Sequence, residues 1–211
     1  IKLRDQHSVV ILIMHSTKEP QNNKEKKLNK IVTGLRNCNR ILVHTIADMN
    51  RLKEYGITDN TTLFPHGVVL TKSEKQSENK RNRQYIIGSF GYFLPNKGLL
   101  ELIEAMKIIQ KSGLDIKLNM YNAEYSIPES AKLIEEAKNL ILKYQLERVI
   151  HFDTSYHSDD AIAEKLSTCD LMVFPYQKSD ESSSAAVRTA LGLSVPILVT
   201  PLEIFDEIKC L

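Results

Sequence analysis

The strongest chemical signal in the sequence is the segment 171–196, which reads LMVFPYQKSDESSSAAVRTALGLSVP. A buried strand, a polar loop and a helix follow one another here, and we predict that the helix opens with Ser182, Ser183 and Ser184. Helix N-termini present unpaired N–H groups and a partial positive charge, so small residues there let a phosphate approach the backbone. Glu181 at the rim can accept hydrogen bonds from sugar hydroxyls. The alternative interpretation, that the serines are ordinary N-caps and Glu181 only complements the helix dipole, stays open on the pattern alone.

A second signal is the loop GSFGYFLPNKG at 88–98, in which a strand runs toward the next helix. Gly91 allows the backbone to come near a ligand. Lys97 at the helix start opposes the helix dipole, which a bound anion would explain; a solvated lysine is the alternative. Ligands of open parallel sheets bind where the strands end. We therefore expect Lys97 and the segment 181–184 to face one cleft and to share one diphosphate.

Two histidines follow apolar stretches in the first third of the chain. His15 comes directly after the strand predicted at 8–14, which places it at a carboxyl end where it could contact the substrate. The alternative is a hydrogen-bonded surface histidine. The sequence FPHG at 64–67 marks the end of another strand; there we interpret His66 as structural, with backbone amides available to a ligand.

The composition excludes several classes of function. With 28 basic and 26 acidic residues the net charge is +2, so no global field attracts nucleic acid and we expect none as a partner. The three cysteines are widely separated, which indicates a reducing cytoplasm. Neither H-E-x-x-H nor D-x-D occurs, so we expect no metal and no other cofactor. No apolar run approaches the roughly 18 residues of a membrane span.

Apolar runs rich in β-branched residues alternate with helical stretches, which predicts an α/β fold built on parallel strands. The segment 71–84 holds no large apolar residue and five basic ones, so we predict a linker there; a long surface loop within one domain is the alternative. Residues 1–70 supply about two strands and 85–211 about five, so the first unit is expected to be incomplete and the chain reads as a fragment. The predicted strands are 8–14, 40–44, 85–90, 115–121, 149–152, 171–175 and 196–200.

Taken in chain order, the predicted strands, loops and helices resemble those of the nucleotide-sugar glycosyltransferases of the GT-B fold, in the large retaining group called family 4. The segments that carry the resemblance are MHST, ILVHTIADMNRLKEYG with FPHGV, GSFGYFLPNKG with LIEAM, and LMVFPYQKSDESSSAAVRTALGLSVPILVT. The resemblance implies two Rossmann-like parallel-sheet domains, the N-terminal one truncated. Residues 1–70 would be the second half of an acceptor domain, 71–84 the linker and 85–211 the donor-binding domain; whether the last helices of that domain are included stays open.

The resemblance also implies roles for individual residues. His15 matches the active-site histidine near the transferred sugar, and Glu181 matches the first of two glutamates, which contacts donor sugar hydroxyls. Lys97 matches the lysine that binds the pyrophosphate, with Gly91 and the three serines beside it in the donor site. The implied reaction moves a sugar from a nucleotide-diphosphate-sugar to a glycan or lipid-linked acceptor in the cytoplasm, without a metal, during surface polysaccharide synthesis.

Two departures from the family pattern keep other functions open. Thr189 stands eight positions after Glu181, where the family usually has the glutamate that binds the nucleotide ribose. The loop before Lys97 also lacks the usual arginine, because residues 85–96 contain no basic side chain. A degenerate domain that binds a nucleotide or a partner without turnover is therefore an alternative. A sugar-nucleotide epimerase of the same shape is another, although it would need further acid and base groups.

The stretch 22–40 has six basic residues against Glu25 alone. Such a segment in an acceptor domain can contact an anionic membrane, with each Lys or Arg near the surface worth about 1 kcal/mol. We therefore consider peripheral binding to the inner membrane surface; a solvated helix face is the alternative.

Overall fold

The computed structural model describes residues 8–18, 27–70 and 84–208 of the 211-residue chain. Residues 71–83 of the predicted linker and residues 22–26 of the basic stretch lie outside the described residues. Contacts between Cα atoms divide the chain into two units. The first unit holds Ile1–Gly67, Ser179–Ser184 and Glu203–Leu211, and the second holds Val68–Lys178 and Ala185–Leu202.

The first unit contains a three-stranded parallel sheet in the order β1-β2-β3. Its core is formed by side chains such as Ile41, Val43 and Leu52, all fully buried between the sheet and the helices. Because the strands are parallel and adjacent, the residues that follow them collect at one edge. The elements are β1 (Ile11–Met14), α1 (Val32–Arg36), β2 (Arg40–Val43), α2 (Ile46–Glu54) and β3 (Thr61–Leu63), with 3₁₀ turns at Leu28–Lys30 and Glu203–Ile208.

The second unit contains a five-stranded parallel sheet in the order β6-β5-β4-β7-β8. The chain builds outward from β4 on one side and then crosses to the other side of β4 to form β7. The carboxyl ends of β4 and β7 therefore flank the switch point at which open α/β sheets bind ligands. The elements are β4 (Tyr85–Tyr92), α3 (Leu99–Lys111), β5 (Ile116–Ala123), α4 (Pro128–Lys143), β6 (Ile150–Asp153), α5 (Asp159–Ser167), β7 (Leu171–Phe174), α6 (Ala185–Gly192) and β8 (Ile197–Val199).

Helices α3 and α4 cover the sheet of the second unit with the faces that their sequence periodicity predicts. Ile103 and Met106 of α3 and Ala137 of α4 are almost inaccessible to solvent, and they pack with Leu118 and Met120 of β5. Each large apolar side chain that is fully buried in this way contributes about 1.5–3 kcal/mol. No helix in the described ranges has both the length and the apolar composition to cross a membrane.

The predicted α/β class with two separate parallel sheets is confirmed. Within the described residues, the structure differs from the sequence interpretation in three places. The first unit has three strands, because β3 adds to β2, and α6 begins at Ala185 instead of at Ser182. The segments Ser179–Ser184 and Glu203–Leu211 have most of their contacts in the first unit, although the sequence interpretation assigned them to 85–211. The linker boundary itself stays a prediction.

Gly98 should be intolerant of a side chain, and Gly113 provides its control. Both have a positive φ, +70° and +76°, so an alanine at either position adopts a left-handed conformation that costs about 1–2 kcal/mol. A Cβ at Gly98 would also lie 1.9 Å from the carbonyl oxygen of Pro175, whereas a Cβ at Gly113 meets open space. We expect Gly98→Ala to lower the free energy of unfolding by about 1–3 kcal/mol more than Gly113→Ala. Urea denaturation followed by circular dichroism measures this difference, and equal losses would contradict the close packing.

Candidate functional site

In the second unit, the end of β4 lies beside the first turn of α6. Gly91 has φ +132°, a conformation that a residue with a side chain rarely adopts. A Cβ built at Gly91 would lie 3.5 Å from the Cβ of Ala186, so the backbone here comes close to the start of α6. Gly91, which we predicted to let a ligand approach the backbone, thus lies near the N-terminus of α6.

Lys97 lies just before α3 and is held against the loop that follows β7. Its ammonium nitrogen is 3.9 Å from the ring centroid of Tyr176, which is itself buried. The two loops are also joined through their backbones, because the amide of Gln177 donates to the carbonyl of Asn96 at 2.8 Å. The lysine is therefore positioned at the carboxyl ends of β4 and β7, where open parallel sheets bind their ligands.

A buried amide at the end of β5 belongs to the same neighbourhood. Asn122 lines one small cavity together with Lys97 and Ser89. Its Oδ1 atom is buried and finds no hydrogen-bond partner among the described residues. Since an unpaired buried acceptor costs about 1–3 kcal/mol, a polar ligand that donates to it would be favoured. The sequence interpretation missed Asn122, although Asn122 also lies at the carboxyl end of a parallel strand, which was the reason for choosing Lys97.

The three serines precede α6 instead of forming its first turn. Ser182 and Ser184 are buried, and Ser183 is half-buried, whereas Glu181 is exposed. The Ser182 hydroxyl donates to Oδ1 of Asp48 at 2.8 Å, so this side chain is engaged within the first unit. That hydrogen bond explains why the helix begins at a later residue than the serine run suggests.

Thr189 lies in α6 and is half-buried. Its hydroxyl donates to the carbonyl of Ala185, one turn earlier, at 3.3 Å. Such a bond back to the helix satisfies the hydroxyl hydrogen locally. The position therefore offers one neutral oxygen as an acceptor, where the family glutamate offers a carboxylate.

In the first unit, the carboxylate of Asp48 organises the loops that hold two predicted catalytic residues. It is fully buried and accepts hydrogen bonds from the backbone and hydroxyl of Thr17, at 3.0 and 2.6 Å, and from the hydroxyl of Thr45 at 2.6 Å. Arg51 donates to it at 3.0 Å, as does Ser182 at 2.8 Å. Thr17 lies two residues after His15 and Ser182 lies next to Glu181, so one carboxylate fixes both segments.

Burial by itself would raise the pKa of Asp48. The hydrogen bonds from Thr17, Thr45 and Ser182 outweigh it and hold the pKa of the carboxyl below its ordinary value. The sequence carried one signal for this residue, since Thr45 and Asp48 have the spacing of a capping box at the start of α2. Thr45 accepts a hydrogen bond from the Asp48 amide at 3.0 Å, as that motif requires.

The segment that carries Glu181 is also tied to the residues that follow β1. The Ser16 hydroxyl donates to the carbonyl of Asp180 at 2.7 Å, and Lys18 forms an ion pair with Glu203 at 3.0 Å. Glu181 lies on the wall of a cavity of about 200 Å³, which Lys18 and Arg51 also line. A cavity with both cationic and acidic walls suits a ligand that is rich in hydroxyl groups.

The predicted site residues therefore form two groups. Gly91, Lys97 and the start of α6 belong to the second unit, where Gly91 lies near Ala186 and Lys97 against Tyr176, whereas His15 and the segment Ser179–Ser184 belong to the first. We expected Lys97 and the segment 181–184 to face one cleft. Because these residues belong to different units, that expectation stays a prediction. His15 is exposed and has two further histidine rings beside it, those of His44 and His66.

Comparison with known proteins identifies the family. The family model described as "Glycosyl transferases group 1" matches residues 71–210. The comparison with curated protein sequences found no significant match.

Solved structures show the same fold. The Anabaena protein HepE, crystallised with UDP and glucose, is 15% identical with a TM-score of 0.74, and the match covers 97% of this chain and 56% of that one. A UDP-forming α,α-trehalose-phosphate synthase from Burkholderia xenovorans is 10% identical with a TM-score of 0.75, covering 98% and 57%. Sucrose-phosphate synthase from Thermosynechococcus elongatus is 16% identical with a TM-score of 0.71, covering 98% and 54%. The chain spans a little over half the length of these proteins, and the expected GT-B fold is confirmed.

Removal of the Asp48 charge should destabilise the first unit. In Asp48→Asn, the hydroxyl donors and Arg51 lose their ionic acceptor in a buried place, which we expect to cost about 3–5 kcal/mol of unfolding free energy. Asp59→Asn, at an exposed position, should change it by less than about 0.5 kcal/mol. Urea denaturation of the three proteins measures both effects, and similar losses in the two variants would contradict the role of Asp48.

The same carboxylate should make stability depend on pH in a defined direction. Because its pKa is lower in the folded than in the unfolded protein, its contribution is complete above the unfolded value, about 3.9, and is lost as the pH falls through the folded value. The melting temperature of the wild type should therefore fall more steeply than that of Asp48→Asn as the pH is lowered from 5 to 3. Parallel curves would show that other groups control acid unfolding.

Proposed function

Because the chain belongs to the group 1 glycosyl transferase family, we propose that it takes part in moving a sugar from a nucleotide-diphosphate-sugar to a glycan or lipid-linked acceptor. Two observations carry the proposal: Gly91 brings the end of β4 close to the first turn of α6, and Lys97 is held against Tyr176 in the loop that follows β7. A close backbone, a cation and a helix N-terminus together are what a diphosphate requires. The activity of the whole protein is part of this proposal, as is its place in surface polysaccharide synthesis in the cytoplasm.

In the proposed reaction the protein stabilises the departing nucleotide diphosphate. Negative charge builds on the leaving phosphate as the bond to the sugar breaks, and the Lys97 ammonium with the amides at the start of α6 would offset that charge. Contact with the Tyr176 ring restricts the lysine to the loop, so little reorganisation is needed when the charge develops. In this mechanism the leaving group needs no metal ion.

The proposed roles of His15 and Glu181 concern the transferred sugar. His15 would stand near the reacting carbon, and Glu181 would accept hydrogen bonds from donor sugar hydroxyls. Their segments share the Asp48 carboxylate through Thr17 and Ser182, which would hold the two side chains in a fixed relation. Transfer with retention of configuration is part of the proposal and rests on the family resemblance.

A non-catalytic nucleotide-binding domain is the second candidate, and Thr189 is the observation that favours it. A threonine whose hydroxyl already donates to Ala185 replaces a charged acceptor for the ribose. The loop at 85–96 also has no basic side chain to assist Lys97. Both departures would weaken donor binding without removing the fold.

Incubation of the full-length protein with a panel of nucleotide sugars, without an acceptor, separates the candidates. UDP-glucose is the first donor to test, since HepE was crystallised with UDP and glucose. A transferase should release nucleotide diphosphate slowly by transfer to water, and an epimerase should yield an isomeric nucleotide sugar. Nucleotide binding with no turnover of any donor would support the non-catalytic candidate and reject the transferase.

Lys97→Ala should weaken the binding of UDP. Loss of one charge-assisted contact to a phosphate costs about 1.5–3 kcal/mol, or roughly 10- to 150-fold in the dissociation constant. Lys107→Ala is the matched control, because Lys107 lies 4.1 Å from the ring centroid of Tyr144 and loses a similar lysine–tyrosine contact elsewhere in the same unit. Calorimetric titration of UDP measures both constants, and equal values for the two variants would contradict the role of Lys97.

Thr189→Glu tests whether the ribose position is still used. A glutamate there restores a charged acceptor for a pair of sugar hydroxyls, and we expect UDP to bind more tightly by about 1.5–3 kcal/mol. Thr189→Gln has nearly the same size without the charge and should give less than half of that gain. Unchanged affinity in a well-folded Thr189→Glu protein would mean that this chain holds its nucleotide differently from the family.

Peripheral membrane contact is a further part of the proposal. The described basic residues of the stretch, Lys27, Lys30, Arg36 and Arg40, are all exposed. We expect sedimentation with vesicles that contain anionic phosphatidylglycerol and none with pure phosphatidylcholine vesicles, and high salt should release the protein. Equal sedimentation with both vesicles would contradict the electrostatic contact.

A further inference from the structure

Three histidines of the first unit meet at the carboxyl edge of its sheet. His15 follows β1 directly, His44 follows β2 directly, and His66 lies three residues after β3. One ring nitrogen of each lies within 4.8 Å of a ring nitrogen of the other two. The topology explains the meeting, because three adjacent parallel strands end at the same edge and each is followed by a histidine.

A hydrogen bond to the backbone selects the tautomer of the neutral His44 ring. Its ring is buried, with 3% of the residue exposed, and its Nδ1 lies 2.9 Å from the carbonyl oxygen of Phe64. A carbonyl can only accept, so Nδ1 carries the proton and donates it. In the neutral ring, Nε2 then keeps its lone pair, and this atom is buried with no hydrogen-bond partner among the described residues.

This arrangement is the one that metal-ligating histidines show in proteins. Such a histidine commonly donates its second ring nitrogen to a backbone carbonyl, which orients the ring and directs the other nitrogen at the metal. In His44 the carbonyl partner is in place, and the other nitrogen has no hydrogen-bond partner within the described part of the chain. An unpaired buried acceptor is unfavourable, and a cation beside it would satisfy the lone pair.

We propose that His15, His44 and His66 bind one divalent first-row transition-metal ion, with Zn²⁺ as the ion to test first. Imidazole nitrogens suit zinc, copper and nickel, whereas magnesium and calcium prefer oxygen ligands, so the donor set selects the class of metal. Three histidines leave the fourth position of a tetrahedral ion to water. The exposed ring of His15 gives the ion a path from solvent.

Metal binding requires a small adjustment of the rings. Nitrogens bound to one tetrahedral zinc ion at 2.0–2.1 Å are about 3.3 Å apart. The rings of His44 and His66 are stacked, with centroids 3.7 Å apart, and the His15 ring lies 5.2 Å from that of His44. Rotation of the His15 and His66 side chains toward the fixed His44 nitrogen would close the site.

The proposal departs from the sequence-based expectation of no metal, which rested on short motifs. Residues 15, 44 and 66 are too far apart in the chain for any such motif, and only the sheet brings them together. A metal held here would also engage His15, so it would compete with any role of that side chain at a sugar. The proposal does not depend on the transferase activity, because metal binding is measured directly.

Titration of metal-free protein with ZnCl₂ by calorimetry tests the proposal, with Co²⁺ absorption as a second reading of the ligand geometry. We expect one equivalent to bind. His66→Gln and His15→Gln should each weaken zinc binding by at least ~10-fold. Loss of a residue that only hydrogen-bonds to a metal ligand already lowers metal affinity by about that factor, and loss of a ligand itself should cost no less. His151→Gln, at an exposed position of the second unit, should leave it unchanged.

Cys38→Ser provides the remaining control, because a free thiol can also bind zinc. Binding that survives Cys38→Ser and is lost in the two histidine variants supports the site. Absence of binding at 0.1 mM zinc, or affinity that falls only with Cys38→Ser, would overturn the proposal and leave the three rings as a packing contact. Circular dichroism of each variant verifies that its fold is retained.

Discussion

Parallel strands that lie side by side have all their carboxyl ends at one edge of the sheet, and the chemistry of this chain depends on that constraint. In the second unit it places Gly91 near the end of β4, and it brings Asn122 at the end of β5 together with Lys97 and with Tyr176 after β7. In the first unit the same constraint gathers three histidines at the ends of β1, β2 and β3. Residues far apart in sequence become neighbours because the strands before them are neighbours.

The buried carboxylate of Asp48 is the second organising interaction. Burial of a charge is costly, and it is offset here by hydroxyl and amide donors from separate parts of the chain together with the cation of Arg51. A partner lost from this group leaves the charge undercompensated, so the segments that carry Thr17 and Ser182 are constrained to remain together. Because Thr17 lies two residues after His15 and Ser182 lies next to Glu181, the carboxylate is a positioning group for both segments.

The sequence predicted those features that follow from local patterns. Apolar β-branched runs located every described strand except β3, three-and-four spacing located the buried faces of α3 and α4, and Pro128 marked the first turn of α4. The rule that ligands bind where parallel strands end predicted Gly91 and Lys97 near the carboxyl end of β4; Gly91 lies one residue before that end and Lys97 lies in the loop that follows, and their binding roles stay predictions.

Features set by contacts between distant segments could not be predicted in the same way. The hydrogen bond between Ser182 and Asp48 joins residues 134 positions apart, and it decides where α6 begins and which unit holds the preceding segment. The role of His66 was likewise invisible, because its neighbours depend on strand order and not on its own motif. A histidine after each of three strands was a signal in the sequence, but its meaning required the order β1-β2-β3.

The charge balance of the donor site follows from the same geometry. A nucleotide-diphosphate-sugar carries one negative charge on each phosphate, whereas Lys97 supplies one positive charge and a helix N-terminus about half of one. With no basic residue at 85–96, that loop can meet the remaining charge only with neutral donors. Backbone amides are the donors that can come closest, and Gly91, with its positive φ and no side chain, lets the end of β4 approach the start of α6. In the proposed donor site, the lack of a basic residue at 85–96 would thus make the close backbone at Gly91 more important to anion binding than it would be beside an arginine.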